Sequence, residues 1–353
     1  MNLNDFTAFS TLDPENMLAH IEGLPDQLHS AWELGCSLPL PGWENISRVL
    51  IAGMGGSAIG ADLLAAYAAP LSPVPVFVYR NYNLPAWAKG TETLVITSSH
   101  SGNTEETLSA YEKAMANGCR VLAVSTGGKL AQAAQKDGIP LWQFFHQGQP
   151  RAAVGFSFGL LLAAFSRLGL LPDPGEELQA AIQDMREQQN LISPDIPAAK
   201  NPAKRLAGQI FDRWVTVIGA DVLEPVARRW KGQISEVAKA WGQFEFLPEA
   251  DHNTLAGVIN PEEALAKTFV LFLRAPSYHP RNRLRSDLTK KVFMLEGLNT
   301  DFIDAQGEHS LSHIWTALHL GDYTAYYLAM SYGVDPTPVA AIEGFKQEMK
   351  AKK

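Results

Sequence analysis

The chain has 353 residues, of which 46% are hydrophobic and 19% charged, and a formal net charge of −8. That length exceeds one ordinary hydrophobic core and suits two α/β domains of roughly 150 residues each. The acidic balance excludes broad binding to nucleic acid or anionic membranes, so any anionic ligand must be held locally, by helix N-termini and a few basic side chains.

The start, Met1-Asn2-Leu3-Asn4-Asp5, lacks the basic and apolar regions of a signal peptide, and no apolar run is long enough to cross a bilayer; the expectation is a cytoplasmic protein. Asp13-Pro14-Glu15-Asn16 reads as an N-cap followed by proline at the first helical position, with Met17, Leu18, Ile21 and Leu24 at helical spacing. Cys36 and Cys119 are too few and too far apart for a zinc site or a disulfide framework and are expected to be packing residues.

Short apolar runs bounded by glycine or serine then predict strands over Arg48 to Ala52, Val76 to Tyr79, Leu94 to Thr97 and Val121 to Val124. They alternate with predicted helices over Ala58 to Ala68 and Glu105 to Ala116, the second closed by Gly118. This is the pattern of a doubly wound parallel sheet, whose ligands sit beyond the carboxyl ends of the strands. Leu170 to Lys204 carries Pro172-Asp173-Pro174-Gly175 and Ser193-Pro194-Asp195-Ile196-Pro197 and is read as the segment between domains. A second alternation is predicted beyond it: strand Trp214 to Ile218, helix Val222 to Trp230, and strands Thr268 to Leu273 and Lys291 to Leu295. Leu311 to Tyr332 is apolar enough to be a long, largely buried helix, and a last helix follows Pro336-Thr337-Pro338.

Gly53-Met54-Gly55-Gly56-Ser57 ends a strand and opens a helix, so its backbone can approach an anion while helix N–H groups and the Ser57 hydroxyl donate to it. Such turns also occur in purely structural settings. Ser99-His100-Ser101-Gly102-Asn103-Thr104-Glu105-Glu106-Thr107 lies at another strand end and crowds three hydroxyls beside a helix start. Its plainer reading is a helix cap by Ser101 or Asn103, with the glutamates at the positive end of the dipole. Ser125-Thr126-Gly127-Gly128 can complete the rim.

Together, Gly-Met-Gly-Gly-Ser and Ser-x-Ser-Gly-Asn-Thr-Glu-Glu-Thr resemble the sugar isomerase (SIS) domain. The resemblance implies that Gly55, Gly56, Ser57, Ser99, Ser101 and Thr104 bind a phosphate. His100 stands where that family usually has tyrosine. In the second half, Arg228 to Lys239, Leu247 to Asn253, Gln149-Pro150-Arg151 and Gly333 to Pro338 resemble the bifunctional phosphoglucose/phosphomannose isomerase family of tandem SIS proteins. That likeness implies an α/β fold of two SIS domains, each a parallel sheet flanked by helices, with added N- and C-terminal helices. The divisions expected are 1–170 for the N-terminal helix and first SIS domain, 171–204 between domains, and 205–353 for the second SIS domain with its C-terminal helices.

The implied activity is reversible aldose–ketose isomerisation of glucose 6-phosphate and mannose 6-phosphate with fructose 6-phosphate through an enediol. Such a reaction needs a base, an acid and stabilisation of negative charge. By the likeness Glu236 is the base, His252 opens the ring, Arg151 steadies the enediolate, Lys346 assists ring opening or holds the sugar, and Thr337 adds a hydroxyl. It further implies a homodimer with His252 supplied across the interface. Ser235 replaces the asparagine common before the glutamate.

Plainer readings stand beside each of these: a surface glutamate paired with Lys239 or Arg229, a loop histidine bonded to Asp251 or Asn253, a salt-bridging arginine, a solvated basic tail, and a rigid turn. No metal or cofactor is expected, since no nucleotide-binding Gly-x-x-x-x-Gly-Lys sequence occurs and the histidines lack ligand spacing; His309 and His313 are read as a polar helix face. The rivals are an SIS isomerase of another sugar phosphate and a non-catalytic sugar-phosphate sensor.

Overall fold

The computed structural model describes residues 2–352 and contains two parallel sheets. The first holds β1 (Arg48–Ala52), β2 (Val76–Tyr79), β3 (Thr93–Ser99), β4 (Arg120–Ser125) and β5 (Leu141–Gln143), in the order β2-β1-β3-β4-β5. The second holds β6 (Trp214–Ala220), β7 (Gly242–Leu247), β8 (Thr268–Arg274) and β9 (Asn299–Asp304), in the order β7-β6-β8-β9. Each sheet places its first strand between its second and third, and an open α/β sheet leaves a ligand crevice at the carboxyl ends where the order reverses. In the first sheet the register pairs Ala52 with Thr97 and Ser99 with Ser125, so the loops leaving β1, β3 and β4 stand side by side.

Helices of six or more residues are α1 (Met17–Glu22), α2 (Leu24–Ser37), α3 (Gly55–Ala68), α4 (Glu105–Ala116), α5 (Gly128–Lys136), α6 (Val154–Arg167), α7 (Gly175–Ile192), α8 (Pro202–Ile210), α9 (Glu224–Glu236), α10 (Pro280–Leu295), α11 (Ser310–Tyr332) and α12 (Ala340–Ala351). α11 is buried on every side from Leu311 to Met330, as a helix apolar all round must be. It packs on α7, α8 and α9, and the cluster around it includes Ile51 and Ile96 of the first sheet with Val217 and Phe272 of the second. A smaller cluster, with Leu50, Val95 and Tyr111, fills the other face of the first sheet. No helix among the described residues is long and apolar enough to cross a membrane.

Several expectations are corrected. Lys291 to Leu295 is the end of α10, not a strand; only Phe293 of its apolar run is buried, while Leu295 is 76% exposed. The strands β5, β7 and β9 were not anticipated, and the helix expected over Val222 to Trp230 runs from Glu224 to Glu236. α1 begins at Met17 with Asn16 as its N-cap; Asp13 lies outside, although its carboxylate accepts from the N–H groups of Met17 (2.7 Å) and Leu18 (3.0 Å). Cys36 is exposed rather than packed, whereas Cys119 packs on the smaller cluster. The segment 171–204, read as lying between domains, is not contradicted by carrying α7, which packs against α11.

Candidate active site

The three loops at the carboxyl edge of the first sheet form one interlocked rim. Ser57, in the first turn of α3, accepts from the His100 N–H (3.3 Å), which joins the first loop to the second. Ser99 Oγ lies 3.0 Å from Thr104 Oγ1 and accepts from the Gly102 N–H (3.1 Å); Ser101 Oγ accepts from the Asn103 N–H (3.2 Å). Thr126 donates its hydroxyl (2.6 Å) and its N–H (3.1 Å) to the His100 carbonyl, binding the third loop to the second. Gly102, at φ +66°, lies where a Cβ would overlap the Gly127 carbonyl, so no other residue lets these loops close. The plainer reading, a cap by Ser101 or Asn103, does not hold: Thr104 is the N-cap of α4, and the Asn103 side chain accepts from the Lys129 N–H (3.2 Å) in α5. The starts of α3, α4 and α5 thus meet around a cluster of hydroxyls, an arrangement that attracts an anion.

His100 turns its ring to His146, with Nε2 and Nδ1 3.0 Å apart. Burial lowers the His100 pKa; burial, then His100 and His20, push His146 down to about 4. His100 is therefore held as a neutral ring at pH 7.

The second part of the site is built at the last residue of α9. Glu236 Oε2 lies 3.7 Å from Arg151 Nη1; the carboxylate is 34% exposed and the guanidinium 3%. Arg151 stands in a short 3₁₀ turn, Pro150–Ala153, after β5. α2 holds that turn in place: Gln27 Nε2 donates to the Ala152 carbonyl (2.9 Å) and Gln27 Oε1 accepts from the Gly155 N–H (2.8 Å). A Cβ at Gly56 would overlap the Pro150 carbonyl, so this glycine in the first turn of α3 lets the arginine turn lie against the helix. Arg151 Nη2 donates to the carbonyls of Pro336 (2.8 Å) and Thr337 (2.5 Å). Burial lowers the Arg151 pKa and the Glu236 charge opposes that shift. Thr337 is buried with its hydroxyl unpaired among the described residues.

A cavity of about 210 Å³ joins the two parts, lined by Gly55, Gly56, Arg151 and Glu236 and also by Arg80, Arg228, Arg229 and Lys231. The last four were not singled out as site residues. Helical spacing carried the signal for Arg229, which falls two turns before Glu236 on the same face of α9. Arg229 forms a buried bidentate pair with Asp322 of α11, at 3.1 and 2.7 Å, fixing α9. Arg80 and Arg228 both meet Asp62 of α3. Five cations and the Glu236 carboxylate line the cavity, with Asp62 and Asp322 pairing three of the cations from behind, which leaves a local positive balance in an acidic protein. A larger cavity, of about 590 Å³, lies around Trp214, Trp241 and Tyr332; it is lined by none of the expected site residues, although Lys239 forms part of its wall.

Seven expected residues do not line this cavity: Ser57, Ser99, Ser101 and Thr104 stay in the rim, Thr337 lies buried beside Arg151, and His252 and Lys346 stand elsewhere. His252 is exposed in a turn after β7, whose Asp251 is tied to Arg285 (2.7 Å) and Thr289 (2.6 Å) of α10; Asn253 bonds Glu249 (2.9 Å). Lys346 is exposed on α12, a helix with no buried residue. His313 is not on a polar face, because it is buried between Ser277 Oγ (2.8 Å) and the Gly307 carbonyl (3.0 Å). No cluster of metal-ligating residues occurs among the described residues.

Residues 199–349 match the family described as bacterial phospho-glucose isomerase C-terminal SIS domain. A bifunctional phosphoglucose/phosphomannose isomerase of Caldicellulosiruptor bescii is 37% identical over 94% of this chain and 98% of its own length. One from Aquifex aeolicus is 32% identical over 87% of this chain and 94% of its own length. Among solved structures, a glucose-6-phosphate isomerase like protein from Thermus thermophilus aligns over 96% of this chain and 98% of its own, with a TM-score of 0.64 at 20% identity, which bears on the fold alone. With relatives of that identity matched nearly end to end, the chain belongs to the bifunctional phosphoglucose/phosphomannose isomerase family.

Proposed function

We propose that this chain interconverts glucose 6-phosphate and mannose 6-phosphate with fructose 6-phosphate through a shared enediol. The observation that carries the reading is the Glu236 carboxylate 3.7 Å from a buried, permanently charged Arg151, in a cavity whose wall includes Gly55 and Gly56 of the phosphate rim. The rim, with Ser57, Ser99, Ser101 and Thr104, anchors the phosphate through hydroxyls and helix N–H groups. Glu236 takes the C2 proton of the open-chain aldose and returns it to C1, while the O2 hydroxyl proton passes to O1. Arg151 stabilises the charge on the enediolate oxygens without itself giving up a proton. The C2 epimers yield one enediol, so a site indifferent to the C2 configuration serves both aldoses.

His252 is assigned ring opening in the neighbouring subunit of a homodimer, which fits a histidine that projects to solvent from a turn anchored on α10. Lys346 is the candidate to hold the sugar or assist ring opening, and Thr337 the candidate hydroxyl for the sugar. No metal or cofactor is required by this proton transfer.

The test is isomerisation of fructose 6-phosphate by the purified chain without metal, following both aldoses, beside Glu236→Gln. Removing a general base costs about 10²–10⁴-fold in rate, so the variant is expected to lose turnover while still binding fructose 6-phosphate. A wild type that binds sugar phosphates and forms neither aldose leaves a sensor, or an isomerase of another sugar, as the account.

A further inference from the structure

Glu236 is held from its backbone as well as its carboxylate, and the group that does this is Lys239. Its ammonium donates to the carbonyls of Glu236 (2.6 Å) and Val237 (3.4 Å), and across the cleft edge to the carbonyl of Pro336 (3.3 Å). The Pro336 carbonyl also accepts from Arg151 Nη2 (2.8 Å), and Arg151 Nη1 faces the Glu236 carboxylate at 3.7 Å. The contacts close a ring: Glu236 carbonyl, Lys239, Pro336, Arg151, Glu236 carboxylate. Three chain segments far apart in sequence are fastened there, around Arg151, Glu236 to Lys239, and Pro336, and the ring holds Glu236 at both ends.

The backbone singles out the same residue. Lys239 sits just past the end of α9 at φ +55°, the left-handed conformation that helix ends usually give to glycine. A lysine kept where glycine fits better is explained when its side chain is used. A helix cap alone needs the contacts to Glu236 and Val237; the contact to Pro336 is beyond a cap.

We infer that Lys239 is a positioning residue for catalysis, fixing Glu236 and Arg151 against each other through the Pro336 carbonyl. The inference rests on the isomerase reading of this site. Burial first, then Arg151, push the Lys239 amine down to about 8, against the pull of Asp335 and Glu236. Asp212, Arg213 and Lys267 share the wall of the larger cavity with it. Below that pH the ammonium keeps the ring fully charged. Above it the amine is neutral and the contacts weaken, so kcat is expected to fall on the alkaline side.

The experiment measures kcat and KM for fructose 6-phosphate across pH about 6–10, with thermal unfolding, for the full chain and for Lys239→Met, Lys239→Gly and Lys239→Arg. Misplacing a reacting group by about 1 Å can cost as much as 100-fold; Met and Gly are expected to lower kcat by about tenfold or more, with KM within about twofold. The Gly variant is expected to unfold no earlier than the wild type, because glycine suits the left-handed backbone, which separates lost positioning from lost folding. Arg is expected to recover much of kcat and to move the alkaline limb upward, since guanidinium keeps its charge. If Met and Gly keep wild-type kcat and the same alkaline limb, Lys239 is a helix cap only and the inference is wrong. A wild type inactive on fructose 6-phosphate overturns the isomerase reading and this inference with it; an active wild type with unaffected variants overturns the inference alone.

Discussion

The loop rim, through Gly55 and Gly56, and the last turn of α9 border one cavity, but they are made in different ways. The rim comes from three neighbouring strand ends of one sheet; most of its side chains bond within their own loop, as Ser99 does to Gly102, and a few tie adjacent loops, as Ser57 and Thr126 do through His100. The α9 end is composite: Arg151, the Glu236 to Lys239 stretch and Pro336 arrive from three segments, and α9 itself is pinned from behind by the Arg229–Asp322 pair. A site of the first kind rests on local backbone geometry. One of the second kind rests on the packing of the whole core, so damage far from the cavity should reach it first.

The strongest way to break that contrast is Asp322→Asn. It leaves Arg229 buried without its counter-charge, and removing one member of a buried pair costs about 3–5 kcal/mol. Urea unfolding should show that loss; a change under about 1 kcal/mol would mean that Arg229 finds water and that α9 does not depend on α11.

Next in size is an acid effect at His319 of α11. Nε2 donates to the Ile21 carbonyl (2.8 Å), and burial pushes the imidazole down to about 4. Because the folded value lies below the unfolded one, the contribution of His319 to stability is complete above pH about 6.5 and is lost as pH falls toward 4, by about 3 kcal/mol. Unfolding free energies across that range should show a shallower fall for His319→Gln, which can still donate to Ile21 and does not titrate there. An equal fall in both would assign the acid sensitivity to other groups, His146 among them.

The smallest effect is expected at the rim. Ser101 is exposed and its hydroxyl bonds only Asn103 N–H, so Ser101→Ala should raise KM for fructose 6-phosphate by about two- to tenfold, the range of one neutral hydrogen bond, with kcat unchanged. A large fall in kcat would show that the rim also takes part in the chemistry and would blur the contrast.

The same contrast governs what could be read from the chain before its structure. β1, β3 and β4 are buried runs ending in glycine or serine, so both strands and loops announce themselves locally. β7 and β9 are edge strands of the second sheet, half-exposed and mixed in polarity, and Gly242–Leu247 and Asn299–Asp304 carry no clean period. The Val292-Phe293-Met294-Leu295 run looked like a strand because most of its apolar side chains face solvent on a helix, which no periodicity reveals. Glu236 and Arg151 were reached by family likeness; their meeting, and the part of Lys239 in it, needed the fold, because nothing local links positions 151, 239 and 336.

The burial of α11 has a further consequence for how the protein is made. This helix, near the C-terminal end of the chain, covers apolar faces of α7, α8 and α9 and joins a cluster shared by both sheets. At roughly 5–20 residues per second, synthesis from Arg167 to Tyr332 takes on the order of ten to thirty seconds. Through that interval the leading half waits on the ribosome with its inner surface uncovered, and a chaperone able to shield it has a longer task here than in a protein whose halves close their cores in turn.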